Sequence, residues 1–365
     1  MRSRCRERHR IQSPWSNSAG EGTLTFDQIP FSVYADNIGW SVRYCYQTWI
    51  HVGTLNQQSP QVVPLSERTL RREISALHNL TRELEADLSL GEPTRFRERI
   101  QALDRLDAYP LDTQFSTVDS ESFEAALYRR ASALYSRLEA TNLEFYDGIR
   151  DEIQRGAGPN ALLSWAFKSG SVSDTIRLAA GESYDYLDEL VSGILRFVKP
   201  DGRIAQLPAG MVSYQPTPAR HIFDLIGRAQ LTEGDVLIDL GSGLGHVPLL
   251  VSMCTGARSV GIELDAVYVN CARQSADELK VNNVTFMQQD AREADLSCGT
   301  MFYLYSPFRG TILRAVLDRL QREAVSREIR VCTFGPCTAT VAEEGWLKPV
   351  QTLEAGRIAI LRSGN

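Results

Sequence analysis

Residues 236–245 read VLIDLGSGLG, and 18 residues after the last glycine stands Glu263, in SVGIELD. An apolar run, an acid, three alternating glycines and a second apolar run closed by an acid form the pattern of a nucleotide-binding βαβ unit. The first strand runs from Val236 to Leu240. Gly241, Gly243 and Gly245 then let the backbone turn and approach a ligand with no Cβ in the way. A helix over about residues 246 to 253 follows, its first amides near the loop.

Working outward, the apolar runs VTFMQQ, TMFYLYS, IRVCTF and RIAILRS come later in the chain, with helical periods between the earlier ones. Strands apolar on both faces indicate a parallel sheet covered by helices on both sides, the doubly wound α/β class. Its ligand binds beyond the carboxyl ends of the strands, beside the first of them.

The chemistry of the loop narrows the ligand. Its spacing is GxGxG rather than the dinucleotide GxGxxG, and no GK[ST] follows to cradle a triphosphate. Asp239 opposes phosphate and suits a cationic group. S-adenosylmethionine carries an ammonium and a sulfonium and has no phosphate. On this reading Asp239, Gly241, Ser242, Gly243 and Gly245 hold its amino acid end, and the Glu263 carboxylate accepts from both ribose hydroxyls. Asp290, closing the third run in MQQDAR, takes the adenine amino group, and the Ala291 N–H takes a ring nitrogen.

DLGSGLG, GIELD and QQDA resemble the successive motifs of the class I, seven-strand S-adenosylmethionine-dependent methyltransferases, over roughly residues 211 to 365. Within that superfamily, YQPTP at 214–218 and the DLGSG core are similar to two groups of lysine methyltransferases: the disruptor-of-telomeric-silencing histone enzymes and those that modify ATP synthase subunit c. The resemblance implies a Rossmann-like seven-strand sheet and S-adenosylmethionine as cofactor. It also implies that Tyr214 and Thr217 lie over the methionine end of the cofactor, and that a protein lysine accepts the methyl group. The chain departs from the histone enzymes in lacking their upstream Tyr-Gly-Glu and their asparagine-rich fourth motif. Its own fourth motif is LYSPF, at 304–308, similar to the Asn/Asp-Pro-Pro-Tyr of amino-methylating nucleic-acid enzymes but with Tyr305 at the polar first position. Tyr305 and Ser306 are therefore the candidate catalytic residues, with the acceptor entering past them and Phe308. Two alternatives stay open: a small-molecule acceptor with the helical half as a lid, and an S-adenosylmethionine-binding scaffold without turnover.

At 365 residues the chain exceeds one average domain. Residues 1–30 are rich in Arg, Ser and Gly, with arginine at 2, 4, 6, 8 and 10, and are expected to be a disordered tail. Residues 31–205 read as a mostly helical domain, although residues 41 to 52 alternate like a strand. Helical periods run through Leu70, Ile74 and Leu77, through Phe96, Ile100 and Leu103, and through Phe123, Leu127, Leu134 and Leu138. Thr94, Ser120 and Ser183 are expected N-caps, and a helix over about residues 183 to 198 stops against Pro200 and Gly202. The methyltransferase domain covers 206–365, with the boundary between 200 and 210. The helical half is expected to supply the acceptor pocket or the contacts of a homodimer.

A net charge of −6 with interspersed acids and bases marks no basic surface, so nucleic acid is not the expected partner. No apolar run reaches the roughly 18 residues of a membrane span, and the N-terminus lacks the apolar core of a signal peptide. Seven scattered cysteines without CxxC spacing point to free thiols in a reducing cytoplasm and to no metal site. His221 and His246 read as surface or capping residues. Thr217 and Pro218 read as the N-cap and first turn of the helix that enters the domain. The arginines at 309, 314, 319, 322, 327 and 330 read as a solvated helix face, and Cys332 and Cys337 as packing residues.

Overall fold

The computed structural model describes residues 67–111, 122–158, 162–165, 184–198, 210–212 and 214–364. The arginine-rich tail, the alternating stretch at 41–52, the caps Ser120 and Ser183, and nearly all of the expected domain boundary lie outside the described residues.

Seven strands form one sheet: β1 (Val236–Leu240), β2 (Arg258–Glu263), β3 (Val284–Gln288), β4 (Met301–Tyr305), β5 (Arg330–Phe334), β6 (Leu347–Pro349) and β7 (Ala359–Ser363). Their order is β3-β2-β1-β4-β5-β7-β6. The first five run parallel, and β7 lies antiparallel between β5 and β6. Every residue of β1 is buried, as a central parallel strand covered on both faces requires. The order reverses between β2 and β4 on either side of β1, so a crevice opens at the carboxyl end of β1. The short β6 was not among the apolar runs. Only Leu347 of its three residues is buried, and Pro349 is tolerated because the strand sits at the sheet edge.

The helices are α1 (Glu67–Ala86), α2 (Phe96–Asp107), α3 (Phe123–Gln154), α4 (Tyr186–Leu195), α5 (Ala219–Ala229), α6 (His246–Thr255), α7 (Ala266–Leu279), α8 (Gly310–Ser326) and α9 (Cys337–Ala342). Ser122 caps α3 by accepting from Ala125 N at 3.1 Å. Asp185 and Asp188 form a capping box at α4. Thr94 is no cap, since it lies inside the 3-10 turn Pro93–Arg95. The periodic apolar positions are the buried ones, from Leu77 to Leu138, except Ile74, which is half-buried, and Leu70 and Phe123, which sit exposed in the first turns of α1 and α3.

One core unites the helical half with one face of the sheet. Leu77, Leu103, Leu134 and Leu187 belong to the same cluster as Leu250, Phe286 and Tyr303. The other face packs Ile238 and Leu304 against Leu317 of α8. Polar ties reinforce the junction: Ser275 Oγ donates to Leu195 O at 2.8 Å, Gln154 Nε2 to Glu278 O at 2.7 Å, and Arg150 Nη2 to Glu278 Oε2 at 3.3 Å. Three of the six arginines expected on a solvated face hold backbone instead. Arg319 donates to Ala291 O and Ala294 O, Arg327 to Leu296 O and Gly299 O, and Arg330, which lies in β5, to Ala229 O and Asp235. A long side chain with five donors reaches carbonyls that a strand end leaves unsatisfied. Arg309 precedes α8 as its N-cap, Arg314 pairs with Asp318 and Glu344, and Arg322 is exposed.

Candidate functional site

The glycine loop between β1 and α6 turns inward for its hydrogen bonds. Gly241 N and Ser242 N both donate to Ile262 O, at 2.8 and 3.0 Å, and Gly245 N donates to Ser242 O at 2.8 Å. Gly243 N donates to Glu263 Oε2 at 2.9 Å. Four of the five amides from 241 to 245 thus have a protein acceptor. A phosphate-cradling loop needs those amides free, so this loop does not fit a phosphate.

Two carboxylates stand at the loop. Asp239, at the end of β1, is 4 % exposed, and among the described residues no donor is hydrogen-bonded to its carboxylate. Burial, with Glu263 nearby, pushes its carboxyl well above the usual range. Glu263 is raised too, chiefly by burial, although its Oε1 accepts from Asp265 N at 3.0 Å. A buried acid with no donor beside a second acid is costly unless a cation arrives. The donor set therefore fits the ammonium-bearing S-adenosylmethionine expected from the sequence.

Asp290, two residues beyond β3, is held by its neighbour. Arg292 binds it through Nε at 3.0 Å and Nη2 at 2.7 Å, and this pairing is what chiefly lowers its pKa. Ala291 is buried, and its carbonyl accepts from Arg319.

The segment before α5 crosses the carboxyl ends of the strands as a strap. Met211 bridges Phe308 antiparallel, Val212 N donates to Pro307 O at 3.2 Å, and Arg309 N to Gly210 O at 2.8 Å. Tyr214 lies on the glycine loop: a Cβ added to Gly243, whose φ is +51°, would come within 2.0 Å of its ring. Gly241, at φ +90°, meets Pro307 in the same way, at 2.6 Å. Both positions need glycine for two reasons at once, backbone conformation and space. Thr217 does not cap α5. Pro218 is the N-cap, and the buried Thr217 hydroxyl instead shares a 2.8 Å hydrogen bond with Tyr303 of β4.

On the β4 side the sequence expectation divides. The Tyr305 ring packs on Phe334 at 4.8 Å between centroids. Ser306, at φ +42°, donates to Phe334 O at 3.1 Å and accepts from Cys337 N at 2.9 Å. Its hydroxyl is spent in both directions on tying the ends of β4 and β5 to the start of α9, which contradicts a catalytic role. His221 and His246 are buried rather than on the surface. His221 packs on Phe334 at 4.4 Å, and His246 lies 3.1 Å from the Tyr214 hydroxyl. Cys332 and Cys337 are buried packing residues, and burial pushes the Cys332 thiol up to about 12. Among the described residues no group of side chains gathers to hold a metal, and no helix is long and apolar enough to cross a membrane.

A sheet ordered 3-2-1-4-5-7-6 with one antiparallel strand, and acids closing its first two strands around an internally satisfied glycine loop, define a class I S-adenosylmethionine-dependent methyltransferase. Comparison with protein families agrees: the family described as "Histone methylation protein DOT1" matches residues 211–297, which hold the strap, the glycine loop, Glu263 and Asp290. No curated protein matches the chain. Similar solved structures include an RNA methyltransferase from Salinibacter ruber in complex with S-adenosyl-L-homocysteine, at 30 % identity over 41 % of this chain and 92 % of that one, with TM-score 0.33. A precorrin-6y C5,15-methyltransferase from Geobacter metallireducens is 18 % identical over 45 % of this chain and 95 % of that one, also with TM-score 0.33. A Pyrococcus abyssi tRNA (uracil-54, C5)-methyltransferase, again with S-adenosyl-L-homocysteine, is 17 % identical over 41 % and 39 %, with TM-score 0.32. The chain belongs to the class I methyltransferases and uses S-adenosylmethionine.

Proposed function

We propose that this enzyme methylates the ε-amino group of a lysine in a protein substrate. The observation that carries this reading is the family match over 211–297, which takes in the strap together with the cofactor loop rather than the loop alone. S-adenosylmethionine supplies a methyl group already activated on a sulfonium, so the protein's task is alignment and exclusion of water. Asp239 receives the ammonium of the cofactor, Glu263 the ribose hydroxyls, and Asp290 with the Ala291 N–H the adenine. Tyr214 covers the loop from the strap. Thr217 acts at one remove, by fastening the strap to Tyr303.

The acceptor enters past Tyr305, Pro307 and Phe308. Their apolar surfaces strip water from an incoming amine, which disfavours its ammonium form and favours the neutral nucleophile. Ser306 shapes this wall without touching the reacting atoms. The helical half adds the outer part of the acceptor groove, and a cytoplasmic location suits the free thiols at 254, 271, 298, 332 and 337.

Two experiments test the assignment. With radiolabelled methyl donor and cell lysate, the label is expected in protein, and hydrolysis should release methyl-lysine. Label in nucleic acid would overturn the acceptor assignment, and label in small molecules would favour a metabolite acceptor with the helical half as a lid. For the cofactor, Glu263→Ala is expected to weaken S-adenosylmethionine binding roughly 10- to 100-fold, the range for hydrogen bonds to a charged group; unchanged affinity by calorimetry would remove the ribose role.

A further inference from the structure

Behind the glycine loop lies a small apolar cluster in which Phe197 and Tyr214 pack against Leu244 and Tyr268. It joins three parts of the chain that are distant in sequence: the end of the helical half, the strap and the loop itself. The Tyr214 hydroxyl lies 3.1 Å from His246 Nδ1. The phenol has one proton, which it can donate to that nitrogen. This requires a bare Nδ1, and therefore a neutral imidazole. Full burial supplies one by driving His246 down to about 3. The Phe197 ring packs on the imidazole at 4.7 Å between centroids.

We propose that His246 is a positioning residue for cofactor binding: its imidazole, braced by Phe197, holds Tyr214 against Gly243 and so sets the shape of the glycine loop before any ligand arrives. This rests on the reading of the loop as the cofactor seat. The physical gain is preorganisation. A loop of glycines is slack by composition, and order not supplied in the free protein must be supplied on binding, at the expense of affinity. Here the Tyr214 ring on Gly243, held through its hydroxyl by His246, supplies that order. The helical half enters the cofactor site through Phe197, without a residue in contact with the cofactor.

The test uses the full chain with S-adenosylhomocysteine as probe, and reads calorimetric affinity together with hydrogen exchange of the 241–246 amides in the free protein. His246→Leu is expected to speed exchange in the loop and to weaken binding roughly five- to tenfold, the loss of one hydrogen bond. Tyr214→Phe should do the same. The double variant should lose no more than either single one, because both remove the same bond. His246→Gln, whose amide oxygen can accept the phenol proton, should restore most of the affinity and protection, and Phe197→Ala should speed loop exchange. Additive losses in the double variant overturn the proposal. So does weakened binding with loop exchange unchanged, which would make His246 a direct contact. If His246→Leu does not fold, His246→Gln and Phe197→Ala decide: affinity lost in the first, or loop exchange unmoved in the second, counts against it. A wild-type protein that binds no S-adenosylhomocysteine removes the cofactor seat itself, and the proposal with it.

Discussion

At the scale of single residues, the site is built from groups that the fold alone would not choose. Asp239 is held in the interior with its pKa raised by burial and by Glu263. A carboxyl whose folded pKa lies above its unfolded one costs stability as pH rises through the unfolded value, up to the folded value. Asp239→Asn is therefore expected to raise the melting temperature of the free protein at neutral pH and flatten its decline above about pH 4, while abolishing the melting shift that S-adenosylmethionine produces. A melting temperature below wild type would contradict this account. Ser306 makes the opposite kind of prediction. Glycine accepts a φ of +42° more easily but gives up both hydrogen bonds, so Ser306→Gly should lose roughly 1 kcal/mol of stability and keep its kcat. A fall in kcat of about tenfold or more would return Ser306 to the chemistry. The acids and glycines were legible because strand-end position and residue type together imply a ligand. The role of Ser306 was not, since it depends on where the turn after β5 brings the Cys337 amide, 31 residues away.

At the scale of elements, α4 clasps the start of α5 and the strap that leads into it. Asp188 Oδ2 accepts from Asp185 N at 2.7 Å and its Oδ1 from Ala219 N at 2.8 Å, while the Tyr184 hydroxyl donates to Pro216 O at 2.9 Å. One carboxylate thus satisfies the first turns of two helices, and Asp188→Ala would leave both donors buried. A buried unsatisfied donor costs about 1–3 kcal/mol, so a loss of roughly 2 kcal/mol or more is expected in urea unfolding at neutral pH. A loss under about 0.5 kcal/mol, the level of an ordinary surface substitution, would show the clasp to be incidental. Sequence reading found the helix that Asp188 belongs to, but it placed the start at Ser183, when the capping box begins at Asp185. Two acids three apart at a helix start also suit an exposed face, and only the arrival of Ala219 tells the cases apart. The same reasoning applies to β6, whose three residues carry no period to read.

At the scale of the whole molecule, the sequence shows two regimes, helical and α/β, and the change of period near residue 205 suggests two bodies. The packing does not divide there, because Leu195 and Ile194 share a cluster with Leu249 and Leu279. The pattern of a single segment cannot show which distant segment covers it. The full chain is expected to unfold in a single thermal transition, and a fragment of residues 206–365 to bind a hydrophobic dye and lose cooperativity. A fragment that melts cooperatively and binds S-adenosylhomocysteine would establish two independent bodies instead. The pair of acids at the glycine loop has one more consequence. A ligand that binds only the folded state adds stability in proportion to the logarithm of its concentration. On the proposed cofactor seat, the ammonium of the ligand would also relieve the repulsion between Asp239 and Glu263. Resistance to proteases is therefore expected to rise and fall with the concentration of methyl donor.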